Sequence, residues 1–197
     1  MKSIAIEGIP GSGKTTLAKS LDRFLGASVH TLDEHILPEN DLNEFSKDNP
    51  NKEDTYRLNW TIKNTLVSMY SYKKYVVSDR YFITAIAYAY SLDKGNPRGS
   101  KYLDAVNWAR KSIASGELRI PDLCIVLLVK HDLSNQRKGR RETQDMLWSQ
   151  NEALDYADQF YREVLPNLGF YKQLTYIETT DRDYEEVLQR AKATILP

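Results

Sequence analysis

Cysteine is nearly absent: Cys124 is the only one in the chain, set in the apolar run from Leu123 to Val129. A single thiol builds neither an intrachain disulfide nor a cysteine-rich zinc site, which fits a reducing cytoplasm. Net charge is absent as well, because 27 basic and 27 acidic side chains cancel. The overall field that would hold a nucleic acid polymer is therefore missing, while a small anion held locally stays open. No apolar stretch approaches the ~20 residues of a membrane helix. The opening MKSIAIEGIPGSGKTT turns glycine-rich after about six residues, too short for a secretory apolar region. There is no internal repeat or low-complexity segment, and His30, His35 and His131 lack the spacing of zinc ligands.

What the sequence does have is an apolar period that switches repeatedly between strand and helix patterns, which predicts an α/β domain. The 197 residues suit one domain. Short strands are expected at 3–7, 28–32, 75–78, 123–129 and 174–178, with helices at 14–25, 55–72, 81–90, 100–115, 144–165 and 184–195. Asp183 and Glu186 have the spacing of a capping box at the start of the last helix. The segment 39–54, dense in Asn, Asp, Pro and Lys, reads as an irregular surface stretch. Five strands each followed by helical segments predict a parallel sheet covered on both faces, with ligands at the carboxyl ends of the strands.

Gly8-Ile9-Pro10-Gly11-Ser12-Gly13-Lys14-Thr15 matches the phosphate-loop pattern G-x-x-x-x-G-K-[ST], and Thr16 follows it. It lies between an apolar strand and an amphipathic helix, where backbone N–H groups and the helix dipole can meet phosphate oxygens. Lys14 would neutralise the β- and γ-phosphates of a nucleoside triphosphate, and the Thr15 hydroxyl would ligate Mg²⁺. The same loop serves kinases, GTPases and motors, so the use of the triphosphate has to be read elsewhere.

Asp79-Arg80 ends an apolar strand. Asp79 could hold hydrated Mg²⁺, and Arg80 could bridge donor and acceptor and stabilise charge on the transferred group; a capping Asp with a surface Arg is the plainer reading. Arg137-Lys138-Gly139-Arg140-Arg141 concentrates cations around one glycine. That suits a lid at about 136–144 that excludes water and supplies an arginine to the transition state, although solvated charge runs are common. Asp33-Glu34 follows the second strand, where a carboxylate could take a proton from an acceptor hydroxyl or bind a sugar hydroxyl. Trp60, Tyr81, Phe82, Tyr88 and Tyr90 fall on helices and are expected in the core, with Tyr88 the best candidate for stacking on a base.

Taken together, these motifs resemble the thymidylate kinase family and its relatives, the deoxynucleoside kinases. The resemblance is carried by Ile6-Glu7-Gly8 with Gly11-Ser12-Gly13-Lys14-Thr15-Thr16, by Val76-Val77-Ser78-Asp79-Arg80-Tyr81, by Ile86-Ala87-Tyr88 and by Pro121-Asp122-Leu123, followed by the basic run and a long helix. It implies a P-loop NTPase fold of the nucleoside monophosphate kinase type with a five-stranded parallel sheet, and ATP with Mg²⁺ as donor. Dimers are common in the family, so a homodimer is implied as well. Pro10 stands where thymidylate kinases usually carry an acidic residue or arginine, and Asp33-Glu34-His35 replaces an arginine-containing segment. Arg57 is the near match to the thymine-contacting arginine, and Ala89 replaces a polar residue. Deoxynucleoside kinases place an acidic base after the second strand, a role that Asp33 or Glu34 could imitate.

The expectation is γ-phosphoryl transfer from ATP to a thymidylate-like nucleoside monophosphate. An acceptor that is a nucleoside or another small-molecule hydroxyl is the alternative. A slowly hydrolysing ATP-binding switch is the reading from another class, and the acceptor-side elements speak against it.

Overall fold

The computed structural model of the chain describes residues 1–36, 52–96, 98–138 and 151–196. Its sheet has five strands: β1 (Lys2–Glu7), β2 (Val29–Leu32), β3 (Tyr75–Asp79), β4 (Leu123–Leu128) and β5 (Gln173–Glu178). They lie in the order β2-β3-β1-β4-β5 and all pairings are parallel. Seven α-helices are described: α1 (Lys14–Leu25), α2 (Lys52–Met69), α3 (Phe82–Gly95), α4 (Lys101–Ser115), α5 (His131–Lys138), α6 (Asn151–Gln159) and α7 (Tyr184–Ile195).

A parallel sheet needs crossover connections, and these put apolar layers on both of its faces. The period-2 alternation of β4 shows the division. Cys124, Val126 and Leu128 enter a cluster with Phe82, Ile86, Ala109, Phe160 and Leu165, while Leu123, Ile125 and Leu127 enter one with Leu17, Leu21, Leu188 and Ile195. The expected strands, and the expected helices other than the one at 144–165, are present to within about five residues; Trp60 and Phe82 are in the core as expected, and Tyr81 is buried too, as the extended cap that precedes α3 rather than within a helix. Asp183 caps α7 by accepting from the Glu186 N–H at 2.9 Å.

Two stretches differ from the expectation. The start of the basic run is helical, because α5 extends through Lys138; Asp132 in its first turn suits the helix dipole. The helix expected at 144–165 is described from Asn151 and changes character at Phe160, where Phe160–Val164 forms a wide π-type turn followed by a 3₁₀ turn at Leu165–Asn167. The π turn keeps Phe160 and Tyr161 both buried, which a continued α-helical register would have to redistribute. Arg140, Arg141 and most of the expected lid, like residues 37–51 of the segment at about 33–60 expected on the acceptor side, lie outside the described residues.

Candidate active site

The carboxyl ends of β1, β2 and β3 lie along one rim of the parallel sheet, and its order places β1 between β3 and β4. From β1 the chain enters the loop from Gly8 to Gly13, whose glycines take conformations closed to other residues. Gly8 has φ +134°, and a Cβ there would meet the Leu127 carbonyl oxygen at 2.3 Å; Gly11 has φ +76°, and its Cβ would meet Ser134 O at 2.5 Å. The loop is thus pressed against the tip of β4 and against α5. Ser134 completes that contact by donating to the Pro10 carbonyl at 2.6 Å.

Lys14 folds back over the loop and donates to Ile9 O at 2.8 Å. Burial, helped by the nearby Arg80 cation, lowers its pKa to about 7. Thr15 Oγ1 donates to Asp79 Oδ2 at 2.6 Å, while Asp79 Oδ1 is buried without a hydrogen-bond partner. A hydroxyl beside a carboxylate with one oxygen spare is the donor set that a hydrated, phosphate-bound Mg²⁺ takes from a protein. Thr15 and Asp79 therefore fit as its holders. Among the described residues no cluster of three or more His, Cys, Asp or Glu side chains forms.

Arg80 follows with φ +57°, the only positive φ outside glycine among the described residues. Its guanidinium is buried, with Nη1 donating to Gly8 O at 3.1 Å and Nε lying 2.7 Å from Glu34 Oε1. That Nε makes a close ion pair without hydrogen-bond alignment. Burial raises the pKa of Glu34, but Arg80 and Lys14 outweigh it and hold the carboxyl below its usual range. Asp33 is exposed beside it.

Glu7 lies beneath this pair and is fully buried. It accepts from the Tyr81 N–H at 2.8 Å, from Thr84 Oγ1 at 2.6 Å and from the Tyr161 hydroxyl at 3.1 Å. Burial still raises its pKa, against the opposing pull of these donors and of Arg80. The π turn is what delivers Tyr161 to this carboxylate, so β1, α3 and the segment after α6 share one buried polar network.

The sequence-predicted residues thus separate. Lys14, Thr15, Asp79, Arg80 and Glu34 come together around the loop. Thr16, like Thr15, is exposed in the first turn of α1. Arg57 lies over the Trp108 indole of α4, 5.5 Å from its centroid, and Tyr88 is half-buried on α3. Arg137 sits on α5 and donates to Thr179 O at 3.0 Å and Thr179 Oγ1 at 3.2 Å, at the end of β5. Sequence reasoning missed Lys63, Asn59, Thr84, Tyr161 and Thr179. A lysine four residues after Asn59 and three after Trp60, on the inward stripe of α2, was the available signal for Lys63.

The strand order, the glycine-rich loop and the Thr15–Asp79 contact define the P-loop kinase fold of thymidylate and deoxyadenosine kinases. In that fold the chain is similar to the structure of thymidylate kinase from Candida albicans, with TM-score 0.71, 16% identity and coverage of 98% of this chain and 90% of that one. It is also similar to deoxyadenosine kinase from M. mycoides with bound dCTP, with TM-score 0.65, 16% identity and 98% coverage of each chain. In sequence it is 28% identical to a probable thymidylate kinase of Archaeoglobus fulgidus over 212 aligned positions, covering 98% of this chain and 93% of that one. No family model matches the chain.

Proposed function

We propose that this chain is an ATP-dependent phosphotransferase that moves the γ-phosphoryl group to a nucleotide, with a thymidylate-like nucleoside monophosphate as acceptor. The observation that carries the reading is the convergence of Lys14, Thr15, Asp79 and Arg80 on one loop, in a chain that matches a probable thymidylate kinase nearly end to end. The loop N–H groups and Lys14 bind the β- and γ-phosphates, and Arg80 neutralises charge on the group in transit. Mg²⁺ bound through Thr15 and Asp79 would supply further charge neutralisation of the phosphates. The reading takes residues 1–197 as one kinase domain of the cytoplasm, with no polymeric nucleic acid or membrane partner; no described helix is long and apolar enough to cross a membrane. Arg140 and Arg141 would belong to the lid, and assembly as a homodimer follows the family's habit.

One observation favours a second acceptor. Arg80 already faces the Glu34 carboxylate, and a monophosphate dianion at that place would have to compete with it. A nucleoside hydroxyl would not, and could give its proton to Glu34 while Asp33 stays in solvent. ATP consumption measured against panels of nucleosides and nucleoside monophosphates tests both. Turnover dependent on a monophosphate supports the first reading, turnover dependent only on nucleosides transfers the function to the second, and consumption indifferent to either removes both in favour of a switch.

A further inference from the structure

Lys63 is wholly buried in the middle of α2, a place where an ammonium group is costly unless every proton finds an acceptor. Its Nζ donates to three backbone carbonyls, Asp79 O at 2.7 Å, Arg80 O at 3.0 Å and Glu34 O at 3.3 Å. An ammonium has three protons, and here all three go to the segments that carry the site's charged side chains. Asn59, one helical turn earlier on the same stripe, holds the third segment a second time. Its Nδ2 donates to Glu34 O at 3.3 Å, and its Oδ1 accepts from the Ile36 N–H at 3.0 Å.

The two carbonyls at 79 and 80 flank the residue with the unfavourable backbone. A non-glycine side chain at φ +57° persists only where its surroundings over-determine it. That turn sets the direction of Arg80 toward Gly8 O and Glu34, and it fixes Asp79 beside Thr15. Lys63 bonds both the turn at the end of β3 and the segment after β2.

We propose that Lys63 is a positioning residue for phosphoryl transfer, which locks the Asp79–Arg80 turn and the Glu34 segment into one rigid unit, with Asn59 as its auxiliary on the Glu34 side. The proposal rests on the phosphotransferase reading above and adds to it a residue that touches neither phosphate nor acceptor. Losing the clamp lets Arg80 and Glu34 drift relative to the loop that holds ATP, and misplacement on the order of 1 Å can cost about a hundredfold in rate.

The test is Lys63→Met, which keeps the length of the side chain and removes its donors, measured beside wild type for kcat, KM for ATP and backbone hydrogen exchange. The expected result is a kcat lower by about ten- to a hundredfold with KM for ATP near wild type, because the P-loop is untouched. Exchange should rise at the amides of Arg80 and Ile36, while those of β1 and β4 stay protected. A folded Lys63→Met with wild-type kcat overturns the role, as does one whose only change is a lower Tm. If Lys63→Met does not fold, Asn59→Ala carries the test, with kcat expected to fall about three- to tenfold at an unchanged KM for ATP; wild-type kcat there overturns the proposal. A wild type without acceptor-dependent turnover removes the phosphotransferase reading and the role of Lys63 with it. An active wild type beside an equally active variant removes the role of Lys63 alone.

Discussion

Arg80 Nε lies 2.7 Å from Glu34 Oε1, an ion pair that ties the end of β3 to the segment after β2 across the mouth of the cleft. The arginine side chain is 7% exposed and the glutamate 36%, so the pair is dry on one side and open to a ligand on the other. In the proposed reaction the phosphoryl acceptor would meet this pair.

Glu34→Gln separates the two acceptors. On a nucleoside, removal of the base should lower kcat by about 10²–10⁴-fold with little change in KM for ATP. On a nucleoside monophosphate, Arg80 is released from its partner and the acceptor KM should fall instead. Steady-state kinetics on both acceptors check this, and a variant indistinguishable from wild type would remove Glu34 from the site.

Lys14 makes stability depend on pH. Its folded-state pKa of about 7 lies below the ordinary lysine value of 10.5 that holds in the unfolded chain, so folding disfavours the charged form. The resulting penalty is complete below pH 7, shrinks as pH climbs toward 10.5 and is gone above it. Lys14→Met should therefore raise the nucleotide-free Tm at about pH 6 and lose that advantage by about pH 10, while turnover falls by orders of magnitude. Thermal unfolding across this range is the measurement, and a difference in Tm that does not vary with pH would contradict it.

Asp79→Asn should raise the Mg²⁺ concentration needed for half-maximal turnover by about tenfold or more, the scale of losing a group that holds or orients a metal. Binding of ATP in the presence of a chelator should not change, since Asp79 makes no other claim on the phosphates. A Mg²⁺ requirement equal to that of wild type would leave Asp79 as a partner of Thr15 and nothing more.

The basic run should divide between its two ends. Arg137 is bonded to Thr179, so Arg137→Ala should cost a few degrees of Tm and leave kcat within about threefold. Replacing Arg140 and Arg141 together should lower kcat by about a hundredfold or more with a modest change in ATP affinity, because their charge would act in the transition state. Reversal of these two patterns would place the catalytic arginine on α5.

By itself the sequence determined the elements and the proposed donor site. Period 2 in β4 and the apolar stripe of α1 are local patterns, and the phosphate loop is contiguous, so its glycines, Lys14 and Thr15 could be placed without knowing the sheet order. Asp79 and Arg80 were legible for a similar reason, since strand ends in a parallel sheet share one rim. The acceptor side was not legible, because it is assembled from residues distant in the chain whose partners are backbone atoms. Nothing in the run from Asn59 to Lys63 announces three carbonyls at the ends of β2 and β3, and the spacing of Glu7 and Tyr161 does not reveal the hydrogen bond that the tyrosine hydroxyl donates to the buried carboxylate. Only the tertiary structure decided that Glu34 rather than Asp33 faces Arg80, that Arg57 lies over Trp108, and that Arg137 bonds to Thr179. Charge has no period, and a buried ion finds its partners only once the chain has closed around it.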